Sequence, residues 1–316
     1  MLKFVLRFGT LIGFAIILVV FTIALPESFL TARNWLNISQ QLSMLTVVAA
    51  GMTVVMVMGD FDLSVGSMAT LAGVVAALLF TLGQPIEVAV GAALLIGLLG
   101  GIFNGIMVSV FGILPFVATL ATLTMFSGAA FIVSGGKTIS GRAIPEAFGA
   151  FARTGVDIGG FIVPNLTIVA ALVLVVTWVL LEQTPFGRRL YAIGGNIEAA
   201  HLSGVRVRRL KIAAFALTGL SAAGAGLLYA SRVASANPTQ GSGLMLNAIA
   251  AVFLGMTMSR QGEPRLLGTL MGVLILGVLD NGLTQMSVDS YVRQVLVGGI
   301  ILIAVALGSI SKTRRR

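Results

Sequence analysis

Apolar runs of membrane-crossing length follow one another along almost the whole chain, and no other feature restricts its fold as strongly. A helix rises about 1.5 Å per residue, so roughly 20 apolar residues cross the hydrocarbon of a bilayer. Ten runs approach that length, at about 8–25, 42–59, 63–82, 86–109, 113–134, 162–182, 211–230, 244–259, 266–286 and 292–309. A soluble domain of 316 residues has too little interior for a chain that is 57% hydrophobic and 10% charged. The expected class is therefore an all-α polytopic membrane protein, with residues 1–316 as one transmembrane domain. The first run follows Lys3 and Arg7, is longer than a signal-peptide core and is not followed by a small-x-small cleavage site. It reads as a retained first span.

The net charge of +9 comes from basic residues that sit between the apolar runs. That distribution fits membrane topology better than phosphate binding, so no nucleic-acid partner is expected. An even number of spans puts both termini on one side. With that side cytoplasmic, the inside holds Lys3, Arg7, Arg188, Arg189, Arg206, Arg208, Arg209, Lys211, Arg260, Arg265 and the C-terminal Lys312, Arg314, Arg315 and Arg316. Only Arg33, Lys137, Arg142, Arg153, Arg232 and Arg293 fall elsewhere, and this asymmetry supports a multi-pass protein with both termini in the cytoplasm. The segments at about 135–163 and 231–243 then form the largest outer connections. The chain has no cysteine, so it carries neither a disulfide framework nor a thiolate metal site.

The longest polar interruption runs from Thr184 to Lys211. Asn196 suits an N-cap, Glu198 falls in the first turn, where a carboxylate meets the positive helix end, and Gly204 stands where a stop is expected. The pattern predicts a two-turn helix over Ile197 to Ser203. A helix so short does not hold in water alone, so it must dock. Residue chemistry leaves two readings open: an ordinary cytoplasmic connection with a solvated charge cluster, or a lever through which a cytoplasmic partner moves the spans.

Polar residues inside the apolar runs are the other candidates. Asp60 and Asp62 interrupt the joint between the second and third runs. A carboxylate there is either a functional group or, for Asp62 before Leu63 and Ser64, a helix cap. Asp280 with Asn281 reads as a buried polar pair or as part of a polar lining. Asn104 and Asn247 suit a lining that hydrogen-bonds a polyhydroxyl solute, or a bond across helices. Few basic residues lie deep in the runs, which favours a neutral or weakly charged solute. Glycines four apart, such as Gly97, Gly101 and Gly105 or Gly268 and Gly272, predict close helix packing.

Enzyme-like signals fail. Gly136-Lys137-Thr138 resembles the end of a nucleotide-binding loop, but Phe131 stands where its first glycine is required. His201 is the only histidine, which leaves no multi-histidine metal site. The chain is expected to be non-catalytic, binding no cofactor itself.

The runs GMTVVMVMGDFDLSVGSMATLAG (51–73), TPFGRRLYAIGGNIEAAHLSGV (184–205), SANPTQGSGLMLNAIAAVFLG (235–255) and LLGTLMGVLILGVLDNGL (266–283) resemble, in this order, the membrane permease subunits of bacterial ABC importers for monosaccharides, the ribose, arabinose and xylose type. The resemblance covers almost the whole chain. Branched-chain amino-acid permeases form a neighbouring group. The resemblance implies a type II importer fold of ten spans and a pathway shared by two permease subunits, identical or paralogous. It also implies ATPase subunits on the cytoplasmic side that hold the ATP and Mg, and a periplasmic sugar-binding protein above. Glu198-Ala199-Ala200 with Gly204 is similar to the EAA motif of the coupling loop, about 184–210, although the Ile-x-Leu-Pro ending is absent around Ala214 to Thr218. By resemblance, Gly195, Asn196, Glu198, Ala199, Ala200, His201 and Gly204 meet the ATPase, while Asp60, Asp62, Asn104, Asn247 and Asn281 are candidates for the substrate pathway. The segment 256–265 departs from the family pattern, and Asn247 stands where an aspartate is common. The alternative from another class is an ion-coupled secondary transporter that would use Asp60, Asp62 or Asp280.

Overall fold

The computed structural model describes residues 2–259, 261–299 and 302. The chain is built from helices α1 (Leu2–Ala24), α2 (Ala32–Met56), α3 (Val65–Thr81), α4 (Ile86–Ser109), α5 (Pro115–Ser134), α6 (Glu146–Arg153) and α7 (Asn165–Trp178). It continues through α8 (Pro185–Gly195), α9 (Ile197–Leu202), α10 (Val207–Val233), α11 (Leu244–Met256) and α12 (Leu266–Gln285). A π-helical turn, Val179–Gln183, extends α7. Four short strands also occur among the described residues: β1 (Ile139–Ser140), β2 (Gly155–Ile158), β3 (Phe161–Pro164) and β4 (Ser235–Ala236).

Among the described residues, six helices are long and apolar enough to cross a membrane: α2, α4, α5, α7 with its π turn, α10 and α12. Shorter apolar helices cover residues 9–24, α3 and α11. Nine of the ten expected runs thus fall on apolar helices. The tenth, 292–309, opens inside a helical stretch over 290–299 and then, residue 302 apart, lies outside the described residues.

Several boundaries differ from expectation. The second helix starts at Ala32 rather than near 42. Its first turns are polar, yet the Thr31 hydroxyl accepts from Asn34 N at 3.2 Å and supplies the cap. The segment around 135–163 is structured as well. There β2 and β3 form a two-residue hairpin, with Ile158 opposite Phe161, while β1 pairs antiparallel with β4.

The chain divides into two compact units, residues 43–248 and residues 1–42 with 249–316. In the larger, the glycines of α4 lie directly on α10. A Cβ at Gly97, Gly101 or Gly105 would stand 2.4 Å from Ala223 Cβ, 2.2 Å from Phe215 O or 2.6 Å from Ile212 Cα. Here the spacing read from sequence is used for backbone contact, which lipid-embedded helices need because little hydrophobic drive separates them from lipid. Beside this seam, Val74, Ala76, Ala93, Ala223 and Leu227 form an apolar cluster with Phe80 and Phe148, whose rings are 4.9 Å apart. The Ser231 hydroxyl donates to Phe148 O at 2.6 Å and ties α6 to the end of α10.

In the smaller unit, Phe21 of α1 and Phe29 pack on Val278 and Leu279 of α12. Gly272 meets α11 so closely that a Cβ would lie 2.0 Å from Ala251 O. Asp280 accepts from Gln41 Nε2 at 2.8 Å and pairs with Arg293 Nη1 at 2.8 Å. It is a joint between elements of that unit.

Candidate functional site

The polar interruption folds as two consecutive helices, α8 and α9. Thr184 caps α8, its hydroxyl accepting from Phe186 N at 3.2 Å, and Pro185 occupies the first turn, where its missing N–H costs nothing. The next helix, α9, starts at the expected residue. Asn196 Oδ1 accepts from both Glu198 N and Ala199 N at 3.0 Å. It ends one residue earlier than expected, at Leu202, because Ser203 has become the cap. Gly204 then takes a left-handed conformation, φ +80. Its N–H reaches His201 O at 2.9 Å and Val205 N reaches Ala200 O at 3.1 Å, the paired bonds of a Schellman stop.

Within α9 only Ala200 is buried. Ile197, Glu198, His201 and Leu202 are exposed, Leu202 to 87%. A two-turn helix that presents an apolar tip beside a carboxylate has its outer face free for a partner. The groove beside it, about 910 Å³, is lined by Ile197, Glu198, His201, Leu202, Val205 and Arg209 among others. Arg206 and Arg208 line it as well, and Arg188, Arg189, Arg206, Arg208 and Arg209 are all exposed.

The second constellation lies in the connection between α2 and α3. Asp62 Oδ1 accepts from Ser64 N at 2.9 Å and Ser64 Oγ at 2.6 Å, so it caps the turn ahead of α3, while Ser64 holds the cap position itself. Asn104 Nδ2 of α4 donates to Ser64 Oγ at 2.9 Å. Asp62 and Asn104, two of the pathway candidates, are therefore neighbours through one serine, each 1% exposed. Asp60 meets a residue sequence reasoning counted only as surface charge: Lys211 Nζ lies 2.8 Å from Oδ2 and 3.0 Å from Oδ1. Both carboxyls lie in the connecting segment, outside either helix. Burial pushes both up from the ordinary carboxylate range, while Lys211 draws Asp60 back and the Ser64 bonds draw Asp62 back.

The remaining candidates are Asn247 and Asn281. Asn247 is half-buried in α11. Asn281 is buried in α12 and accepts from Gln285 Nε2 at 2.8 Å, and Gln285 Oε1 accepts from Ser28 Oγ at 2.6 Å. Among the described residues no cluster of three His, Cys, Asp or Glu is placed to hold a metal ion.

Comparison with known proteins gives this geometry its setting. Residues 34–305 match the family described as the permease component of branched-chain amino acid transport systems. The ribose import permease protein of Bacillus subtilis is 42% identical over 95% of this chain and 92% of its own length. That of Escherichia coli K12 is 38% identical over 92% and 90%. The xylose transport system permease protein of Escherichia coli K12 is 33% identical over 94% and 90%. The chain belongs to the monosaccharide ABC importer permeases. No solved structure matches it.

In this permease two contacts of the α2–α3 connection are not visible in the sequence. Lys211 stands near the start of one apolar run and Asp60 at the edge of another, opposite charges that can meet where water is scarce. That complementarity was the available signal. Gly194 gave none: only the structure shows that a Cβ there would lie 2.0 Å from Val57 O.

Proposed function

We propose that the chain is the membrane subunit of an ATP-driven importer that carries a monosaccharide across the bacterial inner membrane, with α9 as the helix gripped by a cytoplasmic ATPase. The similarity to ribose and xylose import permeases over nearly the full length carries this reading. The exposed, doubly capped α9 and its basic surround support the role given to that helix. The excess of Lys and Arg in the connections around 184–211 and 256–265 supports cytoplasmic termini. ATP and Mg belong to the ATPase subunits, a periplasmic sugar-binding protein delivers the solute, and a second permease subunit completes the pathway. Motion of the ATPase pair displaces α9, and the spans attached to it expose the path alternately to each side.

The family description names branched-chain amino acids, so the deciding assay includes leucine beside pentoses and hexoses. Vesicles holding the permease, its ATPase and its binding protein should accumulate a radiolabelled pentose or hexose only with ATP inside. Glu198→Arg should abolish uptake and ATPase co-purification while leaving the folded permease in the membrane. Uptake of leucine in preference to every sugar, or uptake that persists without the ATPase, would overturn the proposal.

A further inference from the structure

Helix α9 is fastened to its own unit at both ends, and the two fastenings reach one turn. Just before α9, Gly194 rests on that turn: a Cβ would stand 2.0 Å from Val57 O and 3.4 Å from Met58 Cα. Just after α9, one turn into α10, Lys211 grips Asp60, with the two side chains 12% and 8% exposed. The turn is rigid. Gly59 is left-handed, φ +82, and Gly59 N→Met56 O at 3.0 Å with Asp60 N→Val55 O at 3.3 Å close the end of α2 as a Schellman stop. Two residues on, Asp62 holds Ser64 at the start of α3 and, through it, Asn104 of α4. One joint therefore gathers the end of α2, the start of α3 and a side chain of α4.

We propose that Gly194, Asp60 and Lys211 form a two-point clamp that delivers the displacement of α9 to this joint, with Asp60 and Lys211 as positioning residues for transport. The inference rests on the coupling role proposed for α9. A helix held at one end would pivot and dissipate a push. Held before and after by the same rigid turn, it passes translation on. A poorly solvated ion pair suits the task, because it is a contact either made or broken: removing one partner strands the other charge, whereas removing both does not.

The test uses the whole transporter, with permease, ATPase and binding protein in proteoliposomes, and the pentose or hexose the wild type takes up fastest from a radiolabelled panel. Asp60→Asn and Lys211→Met should leave ATPase co-purification intact and hydrolysis within about twofold of wild type. Sugar moved per ATP hydrolysed should fall about tenfold, the size of an ordinary coupling term. Lys211→Arg should keep coupling. The double variant Asp60→Asn with Lys211→Met strands no charge, so its thermal stability should return toward wild type while its coupling stays low. Coupling that recovers along with stability, or single variants with unchanged sugar per ATP, would overturn the clamp. Absence of ATP-dependent uptake in the wild type would instead overturn the coupling reading beneath it.

Discussion

A carboxylate oxygen that accepts two hydrogen bonds cannot be removed without stranding both donors. Asp62 Oδ1 takes the N–H and the O–H of Ser64 in a buried setting. Asp62→Ala leaves two unsatisfied groups at about 1–3 kcal/mol each. Asn104→Leu removes a donor to Ser64 Oγ and a lesser interaction with Asp62, while both bonds from Ser64 to Asp62 survive, so its cost is nearer the ~1 kcal/mol of an ordinary hydrogen bond. Thermal unfolding of the detergent-solubilised permease should therefore place Asp62→Ala clearly below Asn104→Leu, and the reverse order would show that Asp62 is not the anchor. That these residues sit oddly in apolar runs was legible in the sequence. Their grouping was not, because Ser64 and Asn104 are 40 positions apart and no local spacing encodes that meeting. Asn196 and Gly204 were legible to the atom for the opposite reason: a helix cap is settled within five residues.

At the scale of the element, α4 offers a matched pair. Gly101 faces α10 with Phe215 O where its Cβ would be, 2.2 Å away, whereas Gly91 on the same helix has nothing within 4 Å. Gly101→Ala must push two backbones apart and should destabilise by about 1–3 kcal/mol. Gly91→Ala gains helix propensity and should be neutral or stabilising by up to about 1 kcal/mol. Paired melting curves check this, and equal effects would mean that the α4–α10 contact is looser than the structure has it. The four-residue rhythm announced a packing face, but not which helix would lie on it. Apolar length likewise located the spans while misplacing the start of α2, since the stretch ARNWLNISQQ reads as connection by composition. Its helix holds because Thr31 caps it and because Gln41 finds Asp280. The hairpin β2–β3 lies in a segment that composition marks only as a connection.

At the scale of the whole molecule, the mechanism stands or falls on which side of the membrane α9 faces. One span, α7 with its π turn, separates the β2–β3 hairpin from α8 and α9. The proposed topology puts the two on opposite faces, with α9 inside on the strength of the basic residues around it. Because the natural chain has no cysteine, a single introduced thiol reports its position without background. Ile158 at the end of β2 is 61% exposed and His201 of α9 is exposed too, so neither site hides its label in the permease alone. A membrane-impermeant maleimide added to spheroplasts should modify Ile158→Cys at once and His201→Cys only after lysis. In the lysed sample, bound ATPase should slow the second reaction, because the partner would cover the outer face of α9. Labelling of His201→Cys from outside would place the helix where no ATPase can reach it. An inside position with no ATPase protection would make α9 an ordinary connection, and the coupling role would have to pass to another part of the chain.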